Sequence, residues 1–358
     1  MSMFLGGAEA NVPFREEGEE WIEEYVEGFS YVHSIGPWRA RKLGIWAVAK
    51  MVVNKLRLNG GDVTKVGLPA GFCEPYSALE LCASRCLGWF PVLNAGNNTK
   101  SPVERMAIVM NYVYAAFKRS YFQKKPYNPV LGECHECFLK TDDNETYFTA
   151  EQVSHHPPMG AFVIEDVKQN ITIKCNVEFA VKYHGTWVSL TQNGVLEITY
   201  HNFNETYVAV DCIPSLAIKN VLWGTRYHTW MDKLDFFCVE TQIFAKTNYA
   251  DKNRKTEVTG GIYVGKEDLD NDKPTYKLEG FWGKKEVISL VKVVPAAPEG
   301  EEEKYPNKTI IVSSDEKDNP KQAKMLYPKW EDKNDWDSTK IWADVTRNVL
   351  GGDLQKAD

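Results

Sequence analysis

Two short segments concentrate groups able to bind an anion. The first, residues 124–133, reads Lys124-Lys125-Pro126-Tyr127-Asn128-Pro129-Val130-Leu131-Gly132-Glu133; the second, residues 151–158, reads Glu151-Gln152-Val153-Ser154-His155-His156-Pro157-Pro158. Lys125, Asn128 and His156 each stand directly before a proline, whose ring pushes the preceding residue out of the helical region into an extended one. Three donors thus lose backbone freedom before any ligand arrives, which lowers the cost of ordering them on binding. Lysine supplies a point charge, asparagine a neutral amide, and the two histidines up to two ring donors. That set suits a phosphate monoester or an inositol phosphate better than an apolar ligand. A plainer reading, Lys-Pro and Asn-Pro turns beside structural histidines, fits the same residues.

Catalysis would draw on the same groups, with His155 or His156 as general base and Glu151 as its orienter. Adjacent residues on an extended strand point to opposite faces, which argues against both rings serving one reacting atom. The sequence offers no separate nucleophile, base and orienter set. Cys134-His135-Glu136-Cys137 resembles half a zinc site, but no second Cys-x-x-Cys or His pair stands at a matching spacing. Neither nucleotide-binding glycine fingerprint is present. The expectation is a binding protein, not an enzyme, with no metal and no cofactor.

The elements that must position these segments can be read from periodicity. Ser77 to Trp89 has the pattern of a helix, and Ser101-Pro102-Val103-Glu104 is a capping box with proline in the first turn. The helix it opens carries Val103, Ala107, Met110, Tyr114, Phe117 and Tyr121 on one stripe. From Phe138 onward the period becomes two. Ile171, Ile173, Cys175, Val177, Phe179 and Val181 alternate with mostly polar residues, the pattern of a long antiparallel strand buried on one face. Asn193-Gly194, His201-Asn202 and Gly260-Gly261 read as turns between further strands. Near the end, Asp337 or Ser338 caps a short helix that Gly351-Gly352 closes.

Upstream of these elements the charge reverses sign. Residues 9–27 hold eight glutamates against Arg15 alone, the composition of a solvated acidic arm or helix. Residues 37–58 hold Arg39, Arg41, Lys42, Lys50, Lys55 and Arg57 without an acid, interleaved with Trp46, Val48, Val52, Val53 and Leu56 at roughly helical spacing. A basic amphipathic helix of this kind suits an anionic membrane surface, although an ordinary surface helix has the same pattern.

The chain of 358 residues, 43% hydrophobic and 12% aromatic, can bury a large core without disulfides or metal. Its formal charge of −7 argues against a nucleic-acid partner. Its eight scattered cysteines read as reduced cytosolic thiols. No stretch reaches the about 20 apolar residues of a membrane span, and Met1 to Ala10, with no cationic flank before a long apolar run, argues against a cleavable secretory signal.

Glu-Gln-Val-Ser-His-His-Pro-Pro at 151–158 resembles the signature of the oxysterol-binding protein family. The resemblance extends through Lys-Lys-Pro-Tyr-Asn-Pro-Val-Leu-Gly-Glu at 124–133, Leu68-Pro69 with Glu74-Pro75, and Asp337-Ser338-Thr339-Lys340-Ile341-Trp342. It implies an α+β, β-dominated domain: a large, nearly closed antiparallel β-barrel around a lipid tunnel, with an N-terminal helical lid and flanking helices. The implied organisation is an acidic arm and basic linker over 1–43 and a lipid-binding domain over 44–358. Within that domain come a lid near 44–61, helices near 75–123, the barrel near 130–294, and an acidic loop and helix over 295–358.

The implied function is extraction of phosphatidylinositol 4-phosphate and its exchange for a sterol between membranes. Exchange for phosphatidylserine, or lipid sensing without transport, are the alternatives. Lys124, Lys125, Asn128, His155 and His156 would hold the inositol phosphate. Trp46, Lys50, Val53, Lys55 and Arg57 would form the lid and touch the membrane. Ser120 stands where some sterol carriers place a Gln against the sterol hydroxyl, which makes it the sterol contact to consider. The implied location is cytoplasmic, peripheral at membranes and membrane contact sites. Relatives continue past the last helix with Lys, Glu and Arg that complete the phosphate site. This sequence stops at Asp358, as a truncated chain or one with a weaker grip would.

Overall fold

The computed structural model describes residues 22–26, 29–33, 70, 73–117, 125–211, 213–220, 227–282, 287–293, 306–313, 323, 325–351 and 356; at 22–33, 125, 287, 313, 350 and 351 it describes backbone only. The lid residues Trp46, Lys50, Val53, Lys55 and Arg57, together with Lys124, Ser120 and Tyr121, lie outside the described residues.

A hairpin of β1 (Ile22–Val26) and β2 (Phe29–His33) comes first, so part of the glutamate-rich arm is strand and not helix. Next come β3 (Cys73–Ser77), α1 (Ala78–Cys86), a 3-10 stretch (Phe90–Asn98) and α2 (Pro102–Phe117). Then β4 (Lys125–Tyr127) pairs in parallel with β3, Cys73 facing Lys125 and Ser77 facing Tyr127. Periodicity gives no sign of this small sheet, because three residues around a proline carry no alternation.

The main sheet comes after it: β5 (Cys134–Lys140), β6 (Glu145–His155), β7 (Pro158–Asp166), β8 (Ile171–Tyr183), β9 (Val188–Tyr200), β10 (Glu205–Val210), β11 (Ser215–Lys219), β12 (Tyr227–Cys238), β13 (Ile243–Lys252) and β14 (Lys255–Val264). A short α3 (Lys266–Asp270) leads to β15 (Tyr276–Trp282), β16 (Val287–Lys292) and β17 (Ile310–Ser313). These strands form a 13-stranded antiparallel sheet running from β5 to β17, with β11 inserted between β9 and β12. β18 (Tyr327–Pro328) pairs with β2. The last helices are α4 (Ser338–Ile341) and α5 (Ala343–Gly351).

The sheet curls around the helical segment, as the contacts of that segment show. Asn94 bonds Asn144 beside β6, the Tyr200 hydroxyl of β9 donates to the Leu93 carbonyl, and Arg105 of α2 grips Glu205 of β10 with two bonds of 2.6 Å. Tyr114 meets Tyr249 of β13 hydroxyl to hydroxyl at 2.9 Å, Trp282 of β15 donates to the Tyr114 carbonyl, and α2 packs against β17. Strands far apart in the sheet therefore share one helical neighbour. Alternate residues of β6 and β8, such as Phe148, Ala150, Ile171 and Ile173, bury their side chains on the inner face, as period-two patterning requires.

Caps and turns differ from expectation in ways that have causes. Ser77 and Glu80 form a full capping box at α1. At α2 only half of the expected box forms. Ser101 accepts from the Glu104 N–H at 3.2 Å, but the Glu104 carboxylate turns to Thr99 and Lys308. Asn193-Gly194 and Gly260-Gly261 are not turns; they sit inside β9 and β14. The glycines are there because a Cβ at Gly194 would stand 1.9 Å from the Asn176 carbonyl oxygen, and one at Gly260 would stand 1.9 Å from that of Lys246. His201-Asn202 does turn, with Asn204 in the left-handed region at φ 51°. Asp337 is the terminal cap, accepting from the Thr339 N–H at 2.9 Å, and the helix it starts breaks at Trp342.

Candidate functional site

The two candidate segments meet through backbone bonds. Val130 to Glu133 forms a turn closed by the Glu133 N–H donating to the Val130 carbonyl at 3.0 Å. Gly132 stands at φ 80°, where the third position of such a turn requires glycine. The Gly132 N–H then donates to the Gln152 carbonyl, and the Gln152 N–H to the Glu133 carbonyl, each at 2.9 Å. Segment 128–133 is thereby laid against β6 within three residues of His155.

The signature strand alternates. Glu151 is exposed and Gln152 is buried. Glu151 therefore lies on the outer face and is not placed as an orienter for either histidine. At Val153 the strand bulges: Gln152 faces Gly160 and Ser154 faces Met159, leaving Val153 as the extra residue. The Gln152 side chain spans the bulge, its Nε2 donating to the Ser154 carbonyl at 2.8 Å. A bulge breaks the alternation and re-aims the side chains beyond it. His155 closes β6 opposite Pro158, and His156-Pro157, joined by a cis peptide, make the turn into β7.

One consequence reverses an expectation drawn from simple alternation. The His155 and His156 rings do not point apart; their centroids are 4.9 Å apart in an edge-to-face arrangement. His156 is exposed and His155 half-buried. His155 Nδ1 is shielded from solvent and has no hydrogen-bond partner among the described residues. Two imidazoles side by side at a turn, one with an uncommitted ring nitrogen, can address neighbouring oxygens of one anion. Asn128 is half-buried in the adjoining segment, and Lys125 enters it from β4 by its backbone.

A second cluster lies directly behind, and sequence reasoning missed it as a site although its residues sit in the quoted motifs. Glu133 is fully buried. Its Oε1 accepts from the Ser77 hydroxyl at 2.5 Å and the Ser338 hydroxyl at 2.7 Å; its Oε2 accepts from the Val130 N–H at 3.0 Å and Trp342 Nε1 at 2.9 Å. One carboxyl group therefore ties the cap of α1, the 130–133 turn and the start of the terminal helices. Trp342 also stacks on Tyr127, centroids 4.6 Å apart, and the Thr346 hydroxyl reaches the Tyr127 hydroxyl at 3.2 Å. The usable signal for this cluster is the Ser-x-x-Glu box at Ser77, which places one hydroxyl but not the carboxyl it donates to.

The Cys134–Cys137 motif belongs to this cluster and not to a metal site. On β5, residues three apart face opposite sides, so Cys134 and Cys137 diverge. Burial pushes the Cys134 thiol up to about 11, with Asp337, Glu136, Glu151 and Glu133 adding to the effect. His135, fully buried, puts Nδ1 3.3 Å from Asp337 Oδ2, an electrostatic contact more than an aligned hydrogen bond. Burial alone would raise the Asp337 carboxyl; His135, then Lys333 and Thr339, outweigh it and hold the group well below the usual carboxylate range. The Cys134 N–H donates to the Trp336 carbonyl, and Phe138 exchanges two backbone bonds with Leu326. The terminal segment thus covers the free edge of β5, which would otherwise invite pairing with another chain.

Comparison with known proteins accords with this arrangement. A family model described as oxysterol-binding protein matches residues 51–349. Human oxysterol-binding protein-related protein 8 is 27% identical over 324 residues, covering 87% of this chain and 33% of the relative. Human oxysterol-binding protein-related protein 6 is 31% identical over 240 residues, 64% of this chain and 24% of the relative. The chain spans about a third of the length of the first of these curated relatives. Among solved structures, the Osh3 ORD of Saccharomyces cerevisiae in complex with PI(4)P aligns with a TM-score of 0.60 at 20% identity, covering 86% of this chain and 79% of that one. The Osh1 ORD domain in complex with cholesterol aligns at 0.64 and 19% identity, covering 90% and 77%. With its signature segments joined on one side of a large antiparallel sheet and the family model spanning most of its length, the chain belongs to the oxysterol-binding protein family.

Proposed function

We propose that the protein is a lipid carrier, not an enzyme, that extracts phosphatidylinositol 4-phosphate from one membrane and exchanges it for a sterol at another. The observation that carries this reading is the paired His155 and His156 rings at the β6–β7 turn, with segment 128–133 bonded to the same strand. In the proposal His155, His156 and Asn128 meet the inositol phosphate, with Lys124 and Lys125 supplying charge. The related Osh3 and Osh1 domains, solved with PI(4)P and with cholesterol, support the pair of ligands. A lipid chain in water costs about 0.8 kcal/mol per methylene, so a carrier must enclose it. The inner face of the curled sheet is apolar over much of its area.

Among the described residues no helix is long and apolar enough to cross a membrane. Peripheral action from the cytoplasm fits the proposal, with Trp46, Lys50, Val53, Lys55 and Arg57 as lid and membrane contact and Ser120 near the sterol. Incubation with vesicles containing labelled phosphatidylinositol 4-phosphate tests it. The expected result is label in the soluble protein fraction, displaced by added sterol. Absence of extraction by the wild-type protein would overturn the reading, and extraction without delivery to acceptor vesicles would make it a sensor.

A further inference from the structure

The strand register sorts the hairpin turns onto two ends of the sheet, and their charges differ. Met159 pairs with Glu178, so β8 runs on beyond the histidine turn to Tyr183, and the β8–β9 turn lies at the same end of the sheet. Ile218 pairs with Val188, Lys219 with Tyr227, and Lys252 with Lys255, which adds the ends of β11 to β14. The described residues there include Lys182, Lys219, Lys252, Arg254 and Lys255. Of the acids beside them, Glu257 pairs with Lys252 and so offsets it, while Asp251 accepts from the Tyr227 hydroxyl and the Arg254 N–H and keeps its charge; bases still outnumber acids at these turns. The opposite end carries Asp142, Asp143 and Glu240, and its 265–275 turn carries Glu267, Asp268, Asp270 and Asp272. Its bases include Lys140, Lys168, Lys266, Lys273, Lys292 and Lys308, the last of them paired with Glu104, so acids lead there most clearly on the 265–275 turn.

The basic end also presents an ordered aromatic tip. The β8–β9 turn is closed by the His184 N–H donating to the Trp187 carbonyl at 2.8 Å, with Gly185 at φ 84°. His184 stacks on Trp187 with centroids 3.9 Å apart at 10°, and Lys219 Nζ lies 3.7 Å from the Trp187 ring centre. Tyr183 precedes the turn, its hydroxyl donating to the Gly185 carbonyl. Aromatic rings with a polar edge beside lysines settle at the level of lipid headgroups, and basic residues are drawn to anionic lipid.

We propose that this end of the sheet docks on an anionic membrane surface, with the Trp187 tip among the headgroups and the bases facing lipid phosphates. A chain of net charge −7 is repelled by such a surface as a whole. Its separated charges instead turn one end toward the membrane and the other away. The orientation brings the His155–His156 turn to the bilayer, and in that respect the inference rests on the proposed headgroup site.

Sedimentation with phosphatidylcholine vesicles, with and without phosphatidylserine, tests the docking. Each base near an anionic surface strengthens binding about fivefold. Lys182→Ser with Lys219→Ser and Arg254→Ser should therefore lower affinity for the anionic vesicles on the order of 100-fold. Lys168→Ser with Lys266→Ser and Lys273→Ser should leave it unchanged, and Trp187→Ala should lower it several-fold. Added salt should release the wild-type protein from the anionic vesicles. Equal loss in both triple variants, retained binding in the first, or no preference of the wild type for anionic vesicles overturns the proposal. Binding of a soluble short-chain phosphatidylinositol 4-phosphate separates the two readings. The docking triple should retain it, and its loss in wild type would remove the headgroup reading while leaving vesicle docking to stand on its own measurement.

Discussion

Glu133 and the His155–His156 pair sit in neighbouring signature segments, linked by the backbone bonds at Gln152, yet their surroundings are opposite. Both carboxyl oxygens of Glu133 are saturated by four donors, from Ser77, Val130, Ser338 and Trp342, and the side chain is closed to solvent. The histidines stand at a turn, one exposed, with a shielded ring nitrogen that no described residue engages. The difference separates residues that hold a site in place from residues with bonding capacity left for a ligand. Residues of two adjoining signature segments can thus answer to different demands, stability for Glu133 and, in the proposed reading, recognition for the histidines.

The sharpest way to break that comparison is to remove the buried carboxyl group. Glu133→Ala would take the acceptor from Ser77, Val130 and Trp342, Ser338 keeping the Cys134 carbonyl at 3.3 Å, and each donor left unpaired costs about 1–3 kcal/mol before relaxation. Urea unfolding should show a loss on the order of 4 kcal/mol, and a loss within the range of ordinary surface substitutions would mean that Glu133 is not the tie described. His155→Ala with His156→Ala is the matching test on the other side. Hydrogen bonds to a charged group contribute about 1.5–3 kcal/mol each, so loss of one from each ring should lower short-chain phosphatidylinositol 4-phosphate affinity at least about 150-fold. The unfolding midpoint should stay nearly where it was, since His156 is exposed; a fall in both would move the histidines into the structural class.

Asp337 gives a smaller effect with a pH signature. Its carboxyl is held below the usual range against the opposing pull of burial, through His135, Lys333 and Thr339. The unfolded chain titrates near the reference value of about 3.9. The stabilisation is therefore complete above that pH and is lost as pH falls through it toward the lower folded value. Asp337→Asn keeps a good helix cap but discards the charge. Stability should drop by about 1 kcal/mol at neutral pH and the acid limb between about pH 4 and 2 should flatten. An unchanged acid limb would show that Asp337 serves α4 as a cap alone.

How much of this is legible in the sequence depends on the range of the interaction. The long strands are readable from period-two alternation, as at Ile171 to Val177, and the two helices from their caps, because both signals are local. Gly194 and Gly260 look like turns because a glycine needed for close strand approach and one needed for a turn are the same residue. The convergence of prolines on Lys125, Asn128 and His156 marks the candidate site, but the bulge at Val153, which sets the rings side by side, has no local mark. Glu133 is hidden for the strongest reason: its partners lie 56, 205 and 209 positions away, and only the fold brings them together.

The finest test asks whether the tie at Glu133 also tunes the site it supports. Trp342→Phe removes the Nε1–H that reaches Glu133 Oε2 while keeping an aromatic ring over Tyr127. One lost buried hydrogen bond costs about 1 kcal/mol, a loss that unfolding in urea resolves. Tyr127 directly precedes Asn128, and Pro129 limits how far Asn128 can adjust on its own. A loosened Tyr127 should therefore shift Asn128 and weaken short-chain phosphatidylinositol 4-phosphate binding by about threefold, equivalent to roughly 0.6 kcal/mol. Measured well below the unfolding transition, affinity reports on the folded population alone. A loss of stability with no change in affinity would confine Glu133 and Trp342 to the scaffold. The expected coupled loss instead makes the buried carboxyl group a positioning element for Asn128 beside the histidine pair, so that in the proposed reading the two regions differ in chemistry but act on one ligand.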